Sequence, residues 1–200
     1  MKTIGILALQ GAFAAHASVV ERLGHRAWLV RAQRDFEGLD ALVLPGGEST
    51  VQLHMLERLD LERHLCAAIA RGVPVLATCA GVVLLARKVS SPLQRSFGFA
   101  DIEVERNAWG RQVESFESTS DGGFPLVFIR APRIVSVGPR VEVLDAFGGE
   151  PILVRDRNVT CATFHPELTD DASVHAAALH VPRRASVRRV SKRAAASPAT

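Results

Sequence analysis

No apolar run in this 200-residue chain approaches the roughly 20 residues that a bilayer-spanning helix needs. The apolar stretch from Met1 to Leu9 is short, and the Gln10-Gly11 after it makes no convincing signal-peptide cleavage site. It reads as a buried first strand, and the chain is expected in the cytoplasm. Cysteine is scarce. Cys66, Cys79 and Cys161 stand far apart without a C-x-x-C pair or a matching His spacing, which argues against a disulfide framework and a structural zinc site. The G-x-x-x-x-G-K-[ST] pattern is missing, so no nucleotide P-loop is expected. There is no internal repeat, and no linker before residue 180.

Basic charge is also absent from most of the chain, despite a formal net charge of +3. Residues 181–200 hold six cations (Arg183, Arg184, Arg188, Arg189, Lys192, Arg193) and no acidic group, leaving 18 basic against 21 acidic groups over residues 1–180. That −3 body is no nucleic-acid-binding domain on charge grounds. The tail, rich in Ala, Ser, Arg and Pro, has little to bury and is expected to be disordered. What the chain does have is 48% apolar and 22% charged residues, the balance of a globular core under a charged surface.

The first half alternates short β-rich runs with longer amphipathic ones. Strands are predicted at Thr3–Leu9, Arg26–Val30, Ala41–Leu44 and Val73–Ala77. Helices are predicted at Phe13–Leu23, at Thr50–Arg71 with a break near Leu59-Asp60, and at Val82–Lys88. That alternation implies an α/β fold with a parallel sheet covered on both faces. From about Ile102 the pattern becomes short strands (Val127–Ile129, Ile134–Val137, Val141–Leu144, Ile152–Val154, Val159–Phe164), expected to extend the sheet with antiparallel strands.

Three segments carry chemistry. In Val75-Leu76-Ala77-Thr78-Cys79-Ala80-Gly81-Val82 a buried strand runs into a helix through one sharp turn with a thiol at its apex, a nucleophile elbow. The helix start beneath it favours thiolate, and backbone N–H groups there, Ala80's above all, are placed to hold an oxyanion. In Phe164-His165-Pro166-Glu167 an imidazole and a carboxylate stand two apart; in extended backbone they point the same way and pair, with Pro166 keeping the link from turning helical. A thiol nucleophile needs such a base and orienting group. The other six histidines lack this context, and His16, His54, His64 and His175 read as helix-surface positions. Pro45-Gly46-Gly47-Glu48-Ser49-Thr50 leaves a strand and enters a helix; by itself it also fits an ordinary turn with a Ser N-cap. Each segment follows a predicted strand, the edge where open α/β sheets bind ligands.

These segments, with Ile4–Gly11, Glu105-Arg106-Asn107-Ala108-Trp109-Gly110-Arg111-Gln112, Ser115-Phe116-Glu117, Phe128-Ile129-Arg130-Ala131-Pro132 and Phe164–Thr169, resemble the triad-type glutamine amidotransferases. Within them, the likeness is to the glutaminase subunits of pyridoxal 5′-phosphate (vitamin B6) synthase. The matches are collinear over about residues 3–170. The resemblance implies a three-layer, flavodoxin-like fold of the class I glutamine amidotransferases. It makes Cys79 the nucleophile, His165 the base and Glu167 its orienting partner, with oxyanion donors at Ala80 and Gly47. It assigns glutamine binding to Gly47, Glu48, Ser49, Arg106, Ile129 and Arg130. Arginine suits the α-carboxylate of glutamine, and a carboxylate or carbonyls suit its ammonium. No metal or cofactor is called for. The implied partner is the synthase barrel subunit, docked on the side of Gln10-Gly11 and receiving ammonia through a protected channel, since free ammonia in water is mostly non-nucleophilic ammonium.

The sequence departs from that family in three places. Ala77 stands where Gly is usual and Trp109 where Phe or Tyr is usual. After Thr169 an Ala-rich segment, Ala172–His180, replaces a closing helix with large apolar residues, so that helix is expected either to pack poorly or to belong to an altered C-terminus. Rival readings are a glutaminase serving another synthase, a DJ-1/PfpI-like elbow-thiol hydrolase, a silent scaffold subunit and a basic-tail nucleic-acid protein. The His165/Glu167 pair opposes the second, and the intact triad the third.

Overall fold

The computed structural model describes residues 1–106, 108 and 116–179. In chain order it forms β1 (Thr3–Leu7), α1 (Phe13–Arg22), β2 (Arg26–Val30), β3 (Ala41–Leu44), α2 (Ser49–Arg58), α3 (Glu62–Ala70), β4 (Val75–Thr78) and α4 (Ala80–Leu85). These are followed by β5 (Ala86–Ser90), β6 (Ala100–Glu105), β7 (Phe116–Thr119), β8 (Pro125–Phe128), β9 (Arg133–Val137), β10 (Glu142–Phe147), β11 (Glu150–Asp156), β12 (Val159–Ala162) and α5 (Ser173–Ala178). Among the described residues no helix is long and apolar enough to cross a membrane.

The main sheet has seven strands in the order β10-β11-β12-β4-β3-β1-β2. Its five strands from β12 to β2 are parallel, and β10 and β11 continue it antiparallel, as the sequence predicts. The order β2-β1-β3-β4-β12 is the flavodoxin-like arrangement. Both faces are buried, which is why β3 is apolar throughout and β4 is apolar from Val75 to Ala77. Leu42, Leu44, Val75 and Ala77 face one core with Leu56 of α2, Leu65 and Ile69 of α3 and Val82 of α4. Ala41, Val43 and Leu76 face the other with Val20 of α1 and Val174 and Ala178 of α5. The sheet lies between two helical layers.

The helical stretch predicted over Thr50–Arg71 breaks where expected, at Leu59–Leu61, with Asp60 at φ 52°. Other elements differ from the sequence reading. The predicted Val82–Lys88 helix stops at Leu85; Ala86–Ser90 is instead a strand, paired with β6 and held by Arg87 and Lys88 on Asp101 and Glu103. The Ile134–Val137 strand joins β5 and β6 in a separate three-stranded sheet, and β8 pairs with β7, so not every late strand extends the main sheet. The C-terminal helix is short but packed: Val174, His175 and Ala178 are buried. Asn107, Trp109–Ser115, His180 and the basic tail 181–200 lie outside the described residues.

Candidate active site

Three adjacent parallel strands, β3, β4 and β12, deliver the three predicted segments to one edge of the sheet. Register pairs Leu44 with Ala77 and Ala162 with Thr78, so the loops that follow start level with one another. Cys79 is the first residue past β4 and adopts φ 46°, ψ −102°, a left-handed conformation that costs a non-glycine residue about 1–3 kcal/mol. This is the elbow expected from the sequence. Its N–H donates to Ala162 O at 2.9 Å, tying the turn to β12. Gly81 lets α4 lie directly on β3: a Cβ there would stand 2.4 Å from Leu44 O. Ala77 is fully buried, so the methyl group that departs from the family pattern is accommodated.

His165 follows β12, its N–H donating to Val127 O at 2.9 Å. Pro166 does not keep the segment extended as predicted. It opens a short 3₁₀ turn, Pro166–Leu168, as the residue at the first helical position, where a missing N–H costs nothing. The imidazole and carboxylate meet nonetheless: Nδ1 of His165 is 2.7 Å from Oε1 of Glu167. Both are buried. The imidazole and Cys79 also flank the same glycine: a Cβ on Gly46 would lie 2.4 Å from His165 Cε1 and 3.3 Å from Cys79 Cβ. Nε2 of His165 has no hydrogen bond of regular geometry, yet the ring responds strongly to Cys79. Burial alone would lower its pKa; the interactions with Cys79 and Glu167 outweigh burial and raise it to about 10. Glu167, despite burial, is held below the usual carboxylate range by His165 and His16.

A cavity of about 180 Å³ opens over the thiol. Its lining includes Cys79, Ala80 and His165, and every residue to which the resemblance assigned glutamine: Gly47, Glu48, Ser49, Arg106, Ile129 and Arg130. Arg106 Nη2 is 3.2 Å from Glu48 Oε1, so a cation and an anion share the wall. Ile129 O lies 3.9 Å from Cys79 Sγ, and Arg130 sits at φ 44°. Glu48, not Ser49, is the N-cap of α2, its side chain accepting from Thr50 N–H at 3.3 Å. Ala80 opens α4, so its N–H has no partner within the helix.

Gln10, Val83 and Pro132 also line the cavity and were not singled out as site residues. Gln10 was legible through its Leu-Gln-Gly segment; its Oε1 accepts from Glu48 N–H at 2.8 Å. Val83 and Pro132 are ordinary core residues in sequence. The larger miss is His16 and His175, read as surface positions and both fully buried. His16 Nδ1 is 2.8 Å from His175 Nε2, and His16 Nε2 is 3.1 Å from Thr78 Oγ1 and 3.3 Å from Glu167 Oε2. His54 is exposed and His64 half-buried. Among the described residues no group of three His, Cys, Asp or Glu side chains is set to hold a metal ion.

Comparison with known proteins shows the family and the fold. A pyridoxal 5′-phosphate synthase subunit PdxT from Fervidobacterium nodosum is 44% identical over 177 residues, covering 86% of this chain and 93% of that protein. The protein of the same name from Bifidobacterium longum is 47% identical over 182 residues, covering 86% and 96%. A solved structure described as a glutamine amidotransferase superposes with a TM-score of 0.83 at 42% identity, covering 88% of this chain and 96% of that one. With the model of the SNO glutamine amidotransferase family matching residues 6–181, the chain belongs to that family.

Proposed function

We propose that this chain is the glutaminase subunit of a pyridoxal 5′-phosphate synthase, hydrolysing L-glutamine to glutamate and ammonia and passing the ammonia to a synthase subunit. The observation that carries the reading is that Cys79 and His165, past the adjoining strands β4 and β12, line one cavity, with Glu167 buried behind the imidazole. Similarity to PdxT proteins over most of the chain supports the choice of synthase.

Cys79 thiolate attacks the side-chain carboxamide carbon of glutamine, the proton of the thiol having passed to His165. Backbone N–H groups of Ala80 and Gly47 stabilise the tetrahedral oxyanion. His165 returns the proton to the departing nitrogen, ammonia leaves, and a Cys79 thioester remains. His165 then takes a proton from water, the resulting hydroxide cleaves the thioester, and glutamate departs. Glu167 holds the imidazole in the tautomer and orientation that both steps need. At the other end of the substrate, Arg106 and Arg130 suit the α-carboxylate and Glu48 the ammonium, with Ser49 and the Ile129 backbone completing the grip.

Residues 1–180 make up the proposed glutaminase domain, supported by the family match over 6–181; residues 181–200 are a basic appendage to it. Three free cysteines support the cytoplasmic setting. The test is glutamate release from glutamine with and without the synthase subunit, beside Cys79→Ala. Partner-dependent glutamate from the parent chain and none from the variant is the expected result. Equal glutamate from both would remove Cys79 from the chemistry.

A further inference from the structure

Glu167 has two oxygens, and the triad uses one. Oε1 receives His165 Nδ1–H. Oε2 is buried, has no hydrogen bond of regular geometry, and has His16 Nε2 at 3.3 Å. A buried carboxylate held at one oxygen is free to swing, and leaving the other unsatisfied is costly. Three elements meet around this oxygen: α1 supplies His16, α5 supplies His175, and the end of β4 supplies Thr78, the residue before the nucleophile.

We propose that His16, backed by His175, is a positioning residue for the reaction: two neutral imidazoles in series that hold the Glu167 carboxylate square to His165. The inference rests on the proposed glutaminase function for its kinetic consequence, though not for its geometry.

The direction of the hydrogen bonds follows from what each ring faces. A neutral imidazole has one donor and one acceptor nitrogen. Were His16 Nε2 the acceptor, its lone pair would face an ionised carboxylate oxygen at 3.3 Å, and Oε2 would have no donor from it. Placing the proton on Nε2 removes both faults, with the N–H shared between Glu167 Oε2 and Thr78 Oγ1. His16 Nδ1 is then an acceptor, and His175 must donate from Nε2 at 2.8 Å. That leaves His175 Nδ1 as a buried atom without a partner, a bare lone pair and not an orphaned N–H. Both rings stay neutral, as the scheme requires. Burial lowers His16 to about 4, against the pull of Glu167 and with the push of His165. Burial lowers His175 to about 3, with His16 and Arg22 pushing the same way and Glu167 opposing. Thr78 links the array to the glycine loop, since its Oγ1 also accepts Gly46 N–H at 2.9 Å.

Full-length His16→Leu, His16→Gln and Cys79→Ala chains, assayed for glutamate release with the synthase subunit, test the kinetic part. Leucine fills the space without a donor; the glutamine amide places an N–H near Nε2. His16→Leu is expected to lower kcat by about tenfold or more, the scale seen when groups that orient reactive ligands are removed. KM for glutamine should change little, because His16 does not reach the cavity. His16→Gln should recover most of the loss. A leucine variant with parental kcat, or a glutamine variant no better than leucine, overturns the proposal. Should His16→Leu not fold, histidine ¹⁵N shifts of the parent chain decide the matter. Nε2–H tautomers at His16 and His175 through neutral pH are expected; an Nδ1–H tautomer at His16 overturns the scheme. Failure of the glutaminase reading shows separately, as activity that survives Cys79→Ala or never appears in the parent.

Discussion

Nδ1 of His165 lies 2.7 Å from Oε1 of Glu167, with the imidazole 7% and the carboxylate 0% exposed to solvent. In so dry a site the carboxylate keeps a proton on Nδ1 whenever the ring turns neutral, so that Nε2 is the nitrogen that exchanges protons in the proposed reaction. Glu167→Gln is nearly isosteric but offers an amide, which allows the wrong tautomer. Its kcat for glutamate release is expected to fall by about 10⁴-fold with the fold intact, as for other carboxylate-to-amide changes behind a catalytic imidazole. Parental kcat in that variant would exclude the orienting role.

Gly46 should be equally intolerant of change. A Cβ at that position would meet His165 Cε1 at 2.4 Å, and the ring can yield only by moving from Cys79. Displacements near 1 Å cost about 10²-fold in well-aligned sites. Gly46→Ala is expected to lose that much kcat while its melting temperature shifts by only a few degrees. A variant that keeps its rate would mean the ring has room to move.

The ion pair between Arg106 and Glu48 predicts a different kinetic signature. On the proposed function, Arg106→Ala or Glu48→Ala removes a group that would grip the constant end of glutamine in ground state and transition state alike. The expected result is a KM increase of roughly tenfold or more with kcat less affected. Titration of initial rates against glutamine concentration separates the two. A pure kcat defect would place these residues in the chemistry instead.

Stability should fall on the acid side. The folded-state pKa values of His16 and His175 are lowered to about 4 and about 3 from 6.5, so below pH 6.5 the unfolded chain takes up protons that the folded chain refuses. Each histidine then adds a slope of about 1.4 kcal/mol per pH unit, with stability decreasing as pH falls through that window. His165 acts oppositely: its pKa is raised, so its contribution is complete below 6.5 and lost as pH rises through about 10. Melting temperature followed from pH 7 to pH 4.5 should drop steeply in the parent and less steeply in His175→Leu. Equal slopes would contradict the burial of a neutral His175.

The thiols should also differ. Cys161 is fully buried with its pKa pushed up to about 12 by burial and Asp156, and burial and Glu62 raise Cys66. Cys79 lines the cavity beside an imidazole. Iodoacetamide at pH 7 is expected to modify Cys79 first, with Cys161 reacting only on unfolding; peptide mass mapping reads the order.

Much of this was legible in sequence because local signals and tertiary outcome agreed. Ala41–Leu44 and Val75–Ala77 are apolar on both faces since both faces are covered, and Cys79 sits at the turn because small neighbours allow it. Where tertiary pairing decided, the reading failed. Leu84-Leu85-Ala86-Arg87-Lys88 has good helix formers, yet Ala86–Ser90 finds a partner strand in β6 and carboxylates for its cations. His165 and Glu167 meet through a 3₁₀ turn, which a spacing of two did not reveal. His16 and His175 look like lone polar residues among alanines; only the approach of α1, α5 and β4 makes them neighbours.

The pairing of β12 with β4 has a consequence for biosynthesis. β4 is made early and β12 near the end, so a growing polypeptide exposes its cysteine long before the segment bearing His165 exists. Until Val159–Ala162 has slotted in beside Val75–Thr78, the sulfur has neither imidazole nor carboxylate for company. On the proposed function, partial translation products lack the base and its carboxylate, and the triad is assembled only once β12 docks beside β4.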